Sequence, residues 1–170
     1  MKLTHNSTTA DYLKARMLAD FDDSKLREFP LRFKFWHLFR RYKLPLSIRD
    51  ISFNKFRACC NYIESDFSMC EFLELTTGVD KKTIARLKIS LSLPLYHHYK
   101  SECFEILSSF KRIGDEAPKA KVTVKDLKEF GLLPYVDYLA GGDITKYKQV
   151  DEMLLHEVLA LYMLKVHQSI

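Results

Sequence analysis

Glycine and proline are scarce in this chain, five of each in 170 residues, which argues against a loop-dominated or low-complexity protein. Long apolar runs are missing too, and no stretch reaches the length a helix needs to cross a bilayer. The opening Met1-Lys2-Leu3-Thr4-His5-Asn6 lacks the apolar segment of a secretory signal. These absences lead us to expect an intracellular, cytoplasmic protein with no membrane partner. Cysteine is limited to four residues. Cys59 and Cys60 are adjacent, Cys70 and Cys103 stand alone, and no C-x-x-C pair is present to chelate zinc. All four read as small buried apolar side chains.

Catalytic signatures are equally thin. His156-Glu157 lacks the second histidine of a zinc-protease helix, and His97-His98 would point to different sides of a helix. There is no glycine-rich phosphate loop and no G-x-S-x-G elbow. The acidic pairs Asp22-Asp23 and Asp151-Glu152 have no evident partner cluster. The expectation is a protein that is not an enzyme, with no catalytic residue, no metal site, no cofactor and no small-molecule substrate.

What is present is apolar and helical in pattern. Hydrophobic residues make up 47% of the chain, enough to build a core. Strand-like alternation is nearly absent, so the fold class expected is mainly α, a compact multi-helix domain with a C-terminal helical subdomain. The twelve Phe, nine Tyr and single Trp36 recur at helical intervals and read as core. No internal repeat is evident.

The spacing predicts helices over 10–22 capped by Thr9, 30–43 opened by Pro30, 52–64, and 94–112 opened by Pro94. Ile113 to Lys121, with Gly114 and Pro118, reads as a linker. Beyond it come a short helix capped at Thr123, another over 134–140 stopped by Gly141-Gly142, and a last helix over 150–167. That last helix is apolar on most sides, which marks it as a core helix or a homodimer interface. The domain reading is a basic region over 1–112, a linker over 113–122 and a C-terminal region over 123–170.

Net charge is only +5, but it is unevenly spread. Lys25, Arg27, Arg32, Lys34, Arg40, Arg41, Lys43, Arg49, Lys55 and Arg57 face only Glu28 and Asp50 over that stretch. Positive charge returns from Lys81 to Lys88. A surface of this kind suits a polyanion, because each neutralised phosphate releases counterions.

The most informative segment runs from Asp66 to Leu91. A first helix to Thr76, with Phe67, Cys70 and Leu73 inward, is followed by Gly78, able to take positive φ in a sharp turn. Val79 fills the corner and Asp80 caps a second helix, in which Ile84, Leu87 and Leu91 form the inward stripe. Lys81, Lys82, Ala85, Arg86 and Ile89 lie off it, with Thr83 at its edge. Long cations, a hydroxyl and a small residue are what a groove-reading helix uses. An ordinary helical hairpin with solvated lysines would carry the same features.

The window resembles the helix-turn-helix family of phage and mobile-element regulators, and is similar to the DNA-binding modules of homing endonucleases. The matching elements are Gly78-Val79, Asp80, Thr83-Ile84 and Arg86-Leu87. The chain departs from the pattern at Glu74, where the family has a small residue, and at Thr77, where it has an apolar one. The resemblance covers residues 70–89 and implies a second helix lying in the major groove. Base-reading roles then fall to Lys82, Ala85, Arg86 and Ile89. Phosphate-binding roles fall to Lys81, Thr83, Lys88, Arg40, Arg41, Lys43, Arg49 and Lys55, with Gly78 making the turn. The expected partner is double-stranded DNA, bound by a homodimer acting as a transcriptional repressor through promoter occlusion. The alternative is a helical inhibitor whose basic face binds an acidic protein.

Overall fold

A computed structural model of the chain describes residues 7–17, 44–45, 47–63, 68–115 and 131–168. The helix expected over 30–43, the short one at Thr123, most of the expected linker, and Phe67 all lie outside the described residues. The protein is mainly α-helical, with eight α-helices and two short 3₁₀ turns among the described residues. Its only extended pairings there are isolated bridges between Thr8 and Lys88 and between Ser52 and Leu154.

The helices are α1 (Thr9–Met17), α2 (Phe53–Cys60), α3 (Met69–Thr77), α4 (Lys81–Arg86), α5 (Ile89–Asp115), α6 (Leu133–Ala140), α7 (Tyr147–Glu152) and α8 (Leu155–Gln168). They fall into two compact units, one of residues 1–46 with 61–101 and one of residues 47–60 with 102–170. This division differs from the one read from sequence. The segment 47–60 belongs with the C-terminal residues, and the second boundary falls inside α5 rather than at a linker, since 113–115 are still helical.

In the first unit, α1 opens with a reciprocal cap. The Thr8 hydroxyl donates to Asp11 at 2.8 Å and accepts from the Asp11 N–H at 3.2 Å, a capping box with aspartate in place of the usual glutamate. Thr9, the cap expected from sequence, is instead buried, its hydroxyl sharing a hydrogen bond with that of Ser92 at 2.7 Å. The helix expected to run from Asp80 to Leu91 is broken. Leu87 leaves the helix at φ −63°, ψ 147°, and a new helix, α5, begins at Ile89 with Pro94 inside it. The break is satisfied by the start of α1 and the residues just before it: the Thr9 N–H donates to the Leu87 carbonyl at 2.9 Å, and the Ile89 N–H donates to the Ser7 carbonyl at 2.7 Å. Tertiary hydrogen bonds here outweigh local helix propensity. Phe72, Leu73, Ile84, Ile89 and Tyr96 are buried beneath.

In the second unit, Ser47 caps a 3₁₀ turn over Ile48–Asp50, and α2 supplies Phe53 and Phe56 to an aromatic core with Phe110, Tyr135 and Tyr162. Cys59, not Cys60, is the buried cysteine of that helix. As predicted, α6 stops at the glycine pair: Gly141 is left-handed, with φ 70°. Lys165 donates to the Leu139 carbonyl at 2.7 Å, satisfying the end of α6 with a cation where the helix dipole is negative. The single last helix expected over 150–167 is two helices, broken at Met153 with φ −62°, ψ 151°. On α8, Leu155, Val158, Tyr162 and Val166 are buried, the one-sided stripe of a surface helix.

Candidate nucleic-acid interface

The turn between α3 and α4 is built by five polar contacts within the eleven residues from Leu73 to Thr83. Gly78 sits at φ 70° and its N–H donates to the Glu74 carbonyl at 2.9 Å. Asp80 is extended, at φ −62°, ψ 146°, and accepts the Thr83 N–H at 2.9 Å. That N-cap was legible in the sequence. Thr77 and Glu74 both serve the turn. The Thr77 hydroxyl donates to the Leu73 carbonyl at 2.5 Å and accepts the Val79 N–H at 3.1 Å. Glu74 accepts the Lys81 N–H at 3.0 Å, satisfying a second free amide of α4 that no backbone carbonyl can reach. Beneath the corner, Leu73, Val79, Ile84 and Leu87 line a small apolar recess.

The cap is also electrostatic. Hydrogen bonds from the Thr83 hydroxyl and N–H hold the Asp80 carboxyl below the usual carboxylate range. The Thr83 hydroxyl is therefore engaged with the cap, which qualifies its expected role on a phosphate. Lys81 pairs with Glu71 across the turn, and that hydrogen bond raises its pKa. At half exposure such a pair is weak, so the ammonium can exchange partners.

Lys82, Arg86 and Lys88 are exposed and Ala85 is half-buried. Lys82 and Arg86 are one helical turn apart and share a face. Ile89 does not join them. It is 1% exposed and opens α5, so its expected base-reading role is withdrawn: the break at Leu87 turns it into the core. Of the expected backbone-binding cations, Arg40, Arg41 and Lys43 lie outside the described residues. Arg49 and Lys55 are exposed, but they belong to the second unit and not to the one that carries α4.

Among the described residues no group of three or more His, Cys, Asp or Glu side chains is placed to hold a metal ion. All four cysteines are free. Burial pushes the thiols of Cys59 and Cys60 up to about 12 and that of Cys103 higher still, the opposite of what a nucleophile needs. No helix among the described residues is long and apolar enough to cross a membrane.

Against known proteins, no family model, no curated protein and no solved structure matches this chain.

Proposed function

We propose that this chain is a sequence-specific double-stranded DNA-binding protein, most simply a repressor that occludes a promoter. The observation that carries this reading is the exposed pair Lys82 and Arg86, one turn apart on a short helix set behind a tight glycine turn. Arg86 is the base reader, through two parallel hydrogen bonds to a guanine edge, a contact that supplies about 1–3 kcal/mol of discrimination. Lys82 reads base edges beside it, while Lys81 and Lys88 meet phosphates and fix the register of α4 in the major groove. Asp80 and Glu74 hold the first turn of α4, so that the reading side chains are presented by a fixed backbone.

The homodimer expected from the last helix would use the outer face of α8, where Met163 is 45% and Leu164 59% exposed. The same two residues favour the second reading, a helical inhibitor that binds another protein. Selection from randomised duplex DNA with wild type and Arg86→Ala separates the readings. A DNA reader enriches a motif that the mutant blurs. A protein inhibitor enriches none.

A further inference from the structure

The second unit repeats the first in the bonds that close its helix break. In the first, the Thr9 N–H donates to the Leu87 carbonyl at 2.9 Å; in the second, the Phe53 N–H donates to the Met153 carbonyl at 2.9 Å. The Ile89 N–H meets the Ser7 carbonyl at 2.7 Å, and the Leu155 N–H meets the Ile51 carbonyl at 2.9 Å. Each set of bonds closes one isolated bridge, Thr8 with Lys88 and Ser52 with Leu154. Leu87 and Met153 break their helices at nearly the same angles, φ −63°, ψ 147° and φ −62°, ψ 151°.

The turns match as well. Gly78 and Gly141 both have φ 70°. Asp80 caps α4 by accepting the Thr83 N–H at 2.9 Å, and Asp143 accepts the Thr145 N–H at 3.0 Å, capping the 3₁₀ turn that precedes α7. Ile84 and Val150 are the buried plugs of the two short helices. The cores repeat down to ring geometry: Phe72 and Tyr96 meet edge-on at 5.3 Å and 83°, Tyr135 and Tyr162 at 5.2 Å and 85°. Thus α1, α3, α4 and the start of α5 correspond to α2, α6, α7 and α8. The second copy differs in the turn, which is longer by a 3₁₀ turn of three residues, Ile144–Lys146.

Resting on the DNA reading given to α4, we propose that α7 is a second duplex-reading surface, so that a single chain reads two unlike half-sites. Lys148, Gln149 and Glu152 are exposed on it, as are Thr145 and Lys146 in the 3₁₀ turn that leads into it. Lysine donates to guanine, glutamine pairs with both hydrogen-bonding positions of adenine, and glutamate accepts from cytosine. The two lysines are held only by exposed pairs, Lys146 to Asp143 at 3.4 Å and Lys148 to Glu152 at 3.7 Å, which yield readily to a stronger partner. Arg57 bonds Asp151 at 2.6 Å and ties α7 to α2, whose exposed Lys55, with the nearby Arg49, gives this unit its own phosphate-binding cations. With Asp143 and Glu152 beside its lysines, α7 contributes discrimination more than affinity.

The test is a selection from randomised duplex DNA using the full chain as wild type, as Arg86→Ala, and as a Lys148→Ala/Gln149→Ala double variant, with circular dichroism confirming that each is folded. We expect a two-part, non-palindromic motif. Arg86→Ala blurs one half and the double variant blurs the other, each by roughly tenfold in preference. A motif with one half only, or a palindrome of the α4 half-site that the double variant leaves intact, overturns the second reader and spares the first. No motif with any of the three proteins overturns both.

Discussion

The Glu74 carboxylate accepts the backbone N–H of Lys81 at 3.0 Å, reaching from α3 across the turn to the first residue of α4. This side chain adds a second cap, so α4 starts under two carboxylates, Asp80 and Glu74. Each removal should cost about 1 kcal/mol of stability. Urea denaturation of Glu74→Ala and Asp80→Ala checks this. If Glu74→Ala leaves the midpoint unchanged, the second cap does not count.

Gly78 is held at φ +70° with nothing within 4 Å of where a Cβ would sit. A substitution there meets backbone strain and no clash. Gly78→Ala should therefore destabilise by about 1–2 kcal/mol, and Gly78→Asn by clearly less, since asparagine tolerates this region. Equal losses for the two, measured by thermal or urea unfolding, would show that the turn has some other requirement.

Much of this turn was legible because its signals are local. Gly78, Asp80 and the Gly141-Gly142 stop each act within a few residues. The breaks at Leu87 and Met153 were not legible, because each is compensated by hydrogen bonds to a segment far away in sequence, around the start of α1 or of α2. Missing the first break placed Ile89 on a reading face when it is core. The internal repeat was hidden for a related reason. The two first helices, the two turns and the two last helices are separated by three different spacings, so no fixed period appears, and the side chains at matching places, such as Thr9 and Phe53, share burial but not chemistry. The one recoverable signal was Gly-x-Asp followed by a buried β-branched residue and, further on, a tyrosine: Gly78, Asp80, Ile84, Tyr96 and Gly141, Asp143, Val150, Tyr162.

Acid should act through the caps. Asp11 is held low by bonds from Thr8, Asp80 by bonds from Thr83, and Asp143 by bonds from Thr145. A carboxyl whose pKa is lower in the folded than in the unfolded chain stabilises the fold above its unfolded value, near 4, and loses that contribution as pH falls through the folded value. The urea midpoint should thus be flat near neutrality and fall below about pH 4. Asp80→Asn, which caps without titrating, should fall less steeply. An identical fall would remove Asp80 as a source of acid sensitivity.

The thiols of Cys59 and Cys60, pushed up to about 12 by burial, are almost wholly protonated at neutral pH. Cys103 is raised further and Cys70 is also raised, both by burial. A thiol-disulfide reagent at pH 8 should label the native protein only at its rate of opening, and all four cysteines promptly in denaturant. Fast labelling of Cys60, the least buried of the four, would mean that α2 frays at its C-terminus.

Ile89 and Arg86 lie three residues apart and should separate folding from reading. Ile89 is 1% exposed at the start of α5, so Ile89→Ala leaves a cavity and should cost about 2–5 kcal/mol of stability. Under conditions where that variant remains folded, its DNA sequence preference should equal that of wild type, because the side chain never reaches a base. Arg86 is exposed at the end of α4, so Arg86→Ala should change stability by less than about 0.5 kcal/mol yet lower preference for the selected motif by roughly tenfold. Unfolding curves and competition binding on the two variants give four numbers. If Ile89→Ala shifts sequence preference while Arg86→Ala does not, α4 is not the reading helix, however well its turn is built.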